Sequence, residues 1–284
     1  MNNVGQNTTA ERFRRLFLRV ILICILITMV FPLLWTIMSS LKTNKEYMLS
    51  PLTLPSVLAW DNYSRAVQTT NMLPAIKNSA YVVLVSLVTL LVCAVPCSFI
   101  LVRYRFKPIR TVYALVLGCL FINASYIIIP LFLELRAFKL LNNLTALGVL
   151  YGTFQLPYSI FLLTGYMREI PKDYEEAAIL DGCSPFGVLR HIVIPLSKSI
   201  IFTVSMIGIL SSWGEYVVAL VLVTKQELLT FPVTIAKLYE VAKYATDWGA
   251  LFAALTVSLL PTLALFLVGE KYAIKGMSIG GIKG

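Results

Sequence analysis

The chain has 284 residues, of which 58% are hydrophobic and only 13% are charged. A soluble domain has roughly 45–50% apolar and about 25% charged residues, so this composition excludes a single water-soluble core and indicates a membrane protein. The formal net charge is +10, but the basic residues lie at the ends of apolar runs. That placement is typical of membrane topology and argues against nucleic-acid binding.

Six apolar segments of about 20 residues predict six transmembrane helices. Because lipid offers the backbone no hydrogen-bond partners, these spans should be helical, and the expected fold class is an all-α polytopic membrane protein. We expect a cytoplasmic N-terminal segment (1–15), a transmembrane domain (16–269) and a cytoplasmic C-terminal tail (270–284). The six spans are predicted near residues 16–38, 80–102, 111–133, 144–167, 199–223 and 249–269.

The basic residues predict the orientation of these spans. Short connections rich in Lys and Arg remain in the cytoplasm. One such group lies before and at the start of the first span, and another follows the second span. They are Arg12, Arg14, Arg15 and Arg19, then Arg103, Arg105, Lys107 and Arg110. With an even number of spans, both termini are expected in the cytoplasm.

The sequence contains no recognisable catalytic or metal-binding set. Four of the five cysteines lie in apolar runs, where packing is the simplest interpretation. His191 is the only histidine, and no H-E-x-x-H motif or paired membrane aspartates occur,. We therefore expect no catalytic residue, no metal and no cofactor in this chain.

The connection between the fourth and fifth spans, residues 168–198, has clear local signals. Residues 172–181 are good or neutral helix formers, and Gly182 can adopt the left-handed conformation that ends a helix. Ser184 and Pro185 suit the cap and first position of a second short helix near 185–193, which Pro195 would end. The pattern predicts helix, glycine turn and helix along the cytoplasmic face.

This connection also carries a motif. Glu176-Ala177-Ala178, three residues, Gly182, nine residues and Ile192-x-Ile194-Pro195 is similar to the EAA loop of binding-protein-dependent ABC importer permeases, with isoleucine where leucine is usual. The wider sequence resembles the carbohydrate branch, in particular the maltose-type subunit with six spans and a type I importer fold. The flanking matches are Asp61-Asn62-Tyr63, Asn78-Ser79, Trp213-Gly214-Glu215-Tyr216, Asp247-Trp248-Gly249 and the glycine-rich tail.

The resemblance implies a non-catalytic subunit of a sugar importer in the bacterial inner membrane. No G-x-x-x-x-G-K-[ST] phosphate loop occurs, so ATP and Mg²⁺ would be bound by a partner ATPase,. The implied partners are a second permease, two ATPase domains, an extracytoplasmic solute-binding protein and membrane lipid. Expected ATPase-coupling residues are Glu175, Glu176, Ala177, Ala178, Asp181, Gly182 and Pro195, and the expected tail contacts are Lys275, Gly276, Lys283 and Gly284.

Polar residues within spans usually face a bundle interior or a cavity. Asn123, Trp213, Glu215 and Tyr216 combine hydrogen-bonding groups with aromatic faces, which suit a sugar. We interpret them as candidate residues of the substrate path. The alternative interpretation is helix packing, with Glu215 bonded to a neighbour.

Three other classes of protein are compatible with parts of the sequence. An importer for a non-sugar solute shares the EAA loop, and only the flanking matches favour carbohydrate. A secondary transporter commonly shows internal inverted repeats and needs buried ionisable residues. The sequence shows no repeat, and its charges within spans are limited to Glu215, with Glu134 and Arg19 near span ends. An intramembrane enzyme would need a catalytic set within the spans.

Overall fold

The computed structural model describes residues 9–104, 107–245 and 247–280, with the side chains of 9–13, 70, 243, 245 and 268–280 excepted. Over those ranges every regular element is helical, which confirms the predicted all-α fold. The helices in chain order are α1 (Thr9–Ser40), α2 (Asn44–Leu49), α3 (Asp61–Thr70), α4 (Met72–Arg103), α5 (Ile109–Gly118), α6 (Ile128–Ala137), α7 (Leu144–Arg168), α8 (Asp173–Leu180), α9 (Pro185–Val188), α10 (Ile194–Leu196), α11 (Lys198–Gly214), α12 (Val217–Leu222), α13 (Phe231–Ala245) and α14 (Trp248–Gly280).

Four continuous helices in the described part of the chain are long and apolar enough to cross a membrane. They are Arg14–Ser40, Met72–Arg103, Leu144–Arg168 and Trp248–Leu267, and they correspond to the first, second, fourth and sixth predicted spans. A further crossing results if Pro185–Leu196 and Lys198–Gly214, which meet at an 80° bend, form one broken span.

The third predicted span is not one helix. α5 ends at Gly118 and α6 begins at Ile128. Between them the Asn123 Oδ1 accepts a hydrogen bond from the Ser125 amide at 2.9 Å, a local turn that competes with the helical pattern,. Pro130 lies in the first turn of α6, where its missing N–H does not interrupt the hydrogen bonding,.

The fifth predicted span is also interrupted. α11 ends at Gly214, Glu215 has extended backbone angles, and α12 begins at Val217. The Glu215 carboxylate accepts hydrogen bonds from the amides of Val218 and Ala219 at 2.9 and 3.3 Å. It therefore supplies the cap that starts α12, which is the physical reason for the break.

The chain divides into two compact units, one within residues 1–69 and 238–257 and the other within 70–237 and 258–284. In the second unit, α4 packs along α7. A Cβ at Gly148 would lie 2.8 Å from Val85 Cγ1, and one at Gly152 would lie 2.7 Å from the Ser86 carbonyl oxygen. Glycine at both positions therefore lets the two helices approach closely.

Polar contacts hold the Met72 end of α4. The Asn78 amide donates to the carbonyl oxygens of Glu227 and Leu229 at 2.9 and 3.0 Å, and the Ser79 hydroxyl accepts from the Phe231 amide at 2.8 Å. These bonds attach the segment before α13 to α4.

The first unit is organised around a buried lysine and a buried asparagine. Lys42 is fully buried, and its ammonium donates to the carbonyl oxygens of Ser50 and Pro51 at 2.7 and 3.2 Å. Asn62 donates to the carbonyl oxygens of Ser40 and Lys42 at 2.7 and 2.8 Å. The polypeptide after α1 is thus folded back on itself by its own polar groups.

The most apolar stretch of α1 contributes little to the packing of the first unit. None of its most apolar 18-residue window is buried. A helix apolar on all sides and exposed in the isolated chain requires lipid or other protein around it.

Candidate functional site

The predicted loop forms two short helices joined by a tight reversal. α8 ends at Leu180, and Gly182 has φ +85°. The Gly182 amide donates to the Ile179 carbonyl oxygen at 3.0 Å and the Cys183 amide to that of Ala178 at 2.9 Å. These two bonds and a left-handed glycine define a Schellman motif, which confirms the helix stop predicted at Gly182.

The second helix begins as predicted and ends differently. The Ser184 hydroxyl accepts from the Gly187 amide at 3.2 Å, and Pro185 occupies the first turn. The helix passes through a π turn at Leu189–Val193 and continues to Leu196, so Pro195 does not end it. The wider turn accommodates Pro195. The chain bends two residues later, at Ser197, between Leu196 and Lys198.

α8 has one face turned outward and one turned inward. Outward lie Tyr174, Glu176, Ala177, Ile179 and Leu180, the last with 89% of its surface exposed. An apolar side chain this exposed beside other apolar groups is typical of a surface that binds another protein.

The inward face of α8 includes two residues predicted to face an ATPase, Glu175 and Ala178, which are both buried. Glu175 accepts a hydrogen bond from Arg103 Nε at 2.6 Å, and Arg103 Nη2 donates to the Ile170 carbonyl oxygen at 3.0 Å. Both side chains are thus covered within the single chain, and their contact with an ATPase stays a prediction. Asp181, Gly182 and Pro195 are exposed at the turn and at the end of the second helix.

A groove lies between α8 and the last turn of α4. It has a volume of about 290 Å³ and is lined by residues of α4, α8 and α9, among them Phe99, Arg103 and Glu176, and by Lys172, which precedes α8. The groove brings charged groups of both signs beside the exposed face of α8.

Sequence reasoning missed Arg103 as a member of this site and used it only for topology. The signal that could have found it is a basic residue at the last position of an apolar helix, followed later by adjacent glutamates in the loop. Only the fold shows which glutamate it binds.

The four candidate path residues have different environments. Trp213 donates to the Ser258 carbonyl oxygen at 3.3 Å and packs against Phe231. Glu215 caps α12 and accepts a hydrogen bond from the Tyr151 hydroxyl. Asn123 and Tyr216 are exposed and lie at the two helix interruptions.

A buried polar cluster next to Glu215 was not predicted as a unit. Ser86 and Ser212 share a hydrogen bond of 2.8 Å, and the Gln155 amide donates to the Ser212 hydroxyl at 2.9 Å. These contacts join α4, α7 and α11.

The remaining predictions concern the C-terminal tail and metal binding. Lys275 and Gly276 lie in α14, whose side chains there are outside the description, and Lys283 and Gly284 lie outside the described residues altogether. Within the described ranges, no group of three or more His, Cys, Asp or Glu residues could hold a metal ion.

The arrangement is that of a transport permease: apolar helices, interrupted spans and one short helix with an outward apolar face. The chain belongs to the family described as "Binding-protein-dependent transport system inner membrane component", whose sequence pattern matches residues 94–270. It is the membrane permease component of an ABC importer, which works generically with another permease, ATPases and a binding protein. This assignment decides against the secondary-transporter and intramembrane-enzyme alternatives.

Named relatives cover most of the chain. It is 30% identical over 254 residues to "Diacetylchitobiose uptake system permease protein NgcG" of Streptomyces coelicolor, with 89% of this chain and 84% of that protein covered. It is 30% identical over 279 residues to "Trehalose/maltose transport system permease protein MalG" of Thermococcus litoralis, with 96% and 99% covered.

A solved structure has the same fold. A chain of a bacterial ABC transporter involved in the import of the acidic polysaccharide alginate superposes with a TM-score of 0.83, at 22% identity, covering 95% of this chain and 99% of that chain.

Proposed function

We propose that this chain forms half of the translocation path of an ATP-driven importer of sugars, most of all oligosaccharides, and that α8 is its coupling helix. The relatives named for diacetylchitobiose and for trehalose/maltose support the cargo class. The observation that carries the coupling role is the exposed face of α8, where Glu176 and Ala177 lie beside Leu180.

The outward face of α8 fits a cleft in an ATPase subunit. Ala177 has a small side chain that allows close approach of the partner's backbone, and the apolar groups of Ile179 and Leu180 supply area to bury. Glu176 would pair with a basic residue of the ATPase, which fixes register more than it adds affinity. Asp181, Gly182 and Pro195 set the shape of the loop around this face.

In this proposal the energy for transport comes from ATP hydrolysis by the partner ATPase. Two ATPase domains bind ATP and Mg²⁺, and this chain holds neither. The C-terminal tail, including Lys275, Gly276, Lys283 and Gly284, would add a second contact to the ATPase. Basic residues near the ends of α1 and α4 support cytoplasmic N- and C-termini and an inner-membrane location.

The helix interruptions mark the proposed path. Backbone outside helical structure at membrane depth is tolerated only where protein or water, and not lipid, surrounds it. The breaks at residues 119–127 and 215–216 are largely exposed in the single chain. A second permease subunit and a shared aqueous path would cover them, and Asn123 and Tyr216 would face the passing solute.

The coupling role is tested by Glu176→Lys in the complete transporter reconstituted in proteoliposomes. The expected result is normal insertion, weakened ATPase binding and loss of uptake. Glu169→Lys makes the same charge change at an exposed position before α8 and should keep uptake. Uptake at the wild-type rate in Glu176→Lys would refute the coupling role.

The cargo is tested through the binding protein that co-purifies with the transporter. Titration with chitobiose, maltose and other oligosaccharides should give saturable binding for at least one sugar. Binding of an amino acid or phosphonate with no response to sugars would replace the sugar assignment with the non-sugar alternative.

A further inference from the structure

Arg103, the last residue of α4, binds the buried side of the loop that contains α8. Arg103 pairs with Glu175 at 2.6 Å while also binding the Ile170 carbonyl oxygen at 3.0 Å, and the two side chains are only 8% and 10% exposed. We propose that the Arg103–Glu175 ion pair is the positioning contact through which displacement of α8 moves α4. This inference rests on the proposed docking of an ATPase at α8.

The chemistry of the pair suits a mechanical link. A guanidinium stays charged at all relevant pH values and presents a rigid planar fork, here used on two segments at once. Because an unpaired charge withdrawn from water is strongly unfavourable, the pair resists separation when α8 is displaced. A contact between exposed side chains would yield more easily because water replaces the lost partner.

The two adjacent glutamates of α8 therefore have separate roles. Consecutive residues of a helix point in different directions, and here Glu176 is exposed while Glu175 is buried,. Glu176 is available to an ATPase, whereas Glu175 is already used within the chain. The helix is thus connected on one side to a partner and on the other to α4.

The polypeptide connection alone would not transmit motion to α4. α8 follows α7 through the short connection at residues 169–172, so its covalent attachment leads to α7. Arg103 adds a second attachment point on a different helix. Displacing α8 would then act on α4 and α7 together, which also pack closely at Gly148 and Gly152.

α4 extends this link over a long distance. Its 32 residues span about 48 Å at about 1.5 Å per residue. At its other end, Asn78 and Ser79 hold the segment that leads into α13. One helix thereby connects the coupling loop with the opposite end of the second unit.

The experiment compares solute uptake with ATP hydrolysis in the reconstituted transporter with its second permease, ATPase and binding protein. Glu175→Gln and Arg103→Gln should still assemble and hydrolyse ATP, but uptake per ATP should fall by at least about fivefold, the low end of coupling between sites. Asp173→Asn, an exposed acid on the same helix, should keep the wild-type ratio.

A double variant separates a mechanical role from a purely structural one. Arg103→Met with Glu175→Leu removes both buried charges and replaces them with apolar groups, which restores stability in other buried pairs. We expect thermal stability and assembly to recover while uptake per ATP stays low. Wild-type uptake per ATP in this double variant would overturn the link, even if the single variants fail to fold.

Failure of the link and failure of the proposed function give different results. If the wild-type chain binds no ATPase, the proposed function is wrong, and the link with it. If the wild-type complex transports normally and the Arg103 and Glu175 variants keep its uptake per ATP, the link alone is wrong.

Discussion

The Asn62 side chain occupies the space that a side chain on Gly249 would need. A Cβ at position 249 would lie 2.5 Å from Asn62 Oδ1 and 2.7 Å from its Cγ. Asn62 cannot move aside easily, because it donates to the carbonyl oxygens of Ser40 and Lys42 and accepts from Arg65 at 2.6 Å. Gly249, in the Asp247-Trp248-Gly249 motif, therefore leaves the space that Asn62, in the Asp61-Asn62-Tyr63 motif, occupies.

Gly249→Ala should destabilise the protein. Forcing a methyl group into this contact costs about 1–3 kcal/mol, typical of an overpacked site. The measurement is thermal unfolding of the purified protein in detergent. Gly165→Ala is the control, because a Cβ there meets nothing within 4 Å. Equal unfolding temperatures for the two variants would contradict the packing argument.

Replacing Gly182 should impair transport more than folding. Its φ of +85° disfavours side chains, and we expect Gly182→Val to cost about 1–2 kcal/mol locally. The cost falls on the reversal between α8 and α9, so uptake should drop while the spans remain folded. Asparagine tolerates this conformation better, so Gly182→Asn should retain more uptake than Gly182→Val. The reverse order would argue against a backbone cause.

Truncation of Glu215 should lower the stability of the protein, whereas truncation of Tyr216 should affect transport only. Glu215→Ala removes the cap of α12 and the acceptor for Tyr151, so it should lower the free energy of unfolding by about 2 kcal/mol or more. Tyr216→Ala should leave the unfolding temperature unchanged and alter uptake affinity or rate. If Tyr216→Ala and Glu215→Gln both transport like the wild type, neither residue belongs to the path.

Asp247 should make stability depend on acid pH. Burial raises the pKa of Asp247, but hydrogen bonds from Arg65, Asn44 and the Ala250 amide outweigh it, so the pKa lies below its ordinary value of 3.8. The carboxylate therefore stabilises the fold above about pH 4, and this contribution is lost as the pH falls through the lowered pKa.

The measurement is the difference in unfolding temperature between the wild type and Asp247→Asn from pH 7 to pH 3. It should be largest near neutral pH and shrink on acidification. The size should be modest because the pair with Arg65 is partly exposed, and such pairs contribute at most about 1 kcal/mol,. A difference that stays constant with pH would contradict the assignment.

Local signals in the sequence predicted most of the loop between α7 and α11, apart from the end of its second helix. The serine cap at Ser184, the proline after it and the glycine stop at Gly182 act over a few residues, so a pattern in the chain is enough to place them. The long continuous spans were equally predictable from the sequence, because a helix needs about 20 apolar residues to cross the bilayer.

The breaks within the third and fifth spans, and the contacts between residues far apart in the chain, could not be predicted from the sequence. Apolar composition is similar on both sides of residues 119–127, so hydropathy could not show where the third span breaks. A charge within a span is usually functional, which favours the path for Glu215, while the alternative was a hydrogen bond to a neighbour. The sequence could not show that its carboxylate caps α12. Arg103 and Glu175 are 72 residues apart, and only the packing of α4 against the loop brings them together.

The burial of Lys42 gives this protein an internal marker of its folded state. Amine-acylating reagents should modify the exposed Lys45, three positions away, and spare Lys42, whose ammonium is enclosed by the carbonyl oxygens of Ser50 and Pro51. Acylation at Lys42 would appear only in molecules whose polypeptide after α1 has opened. Mass spectrometry of the two lysines would thus count misfolded copies within a membrane preparation.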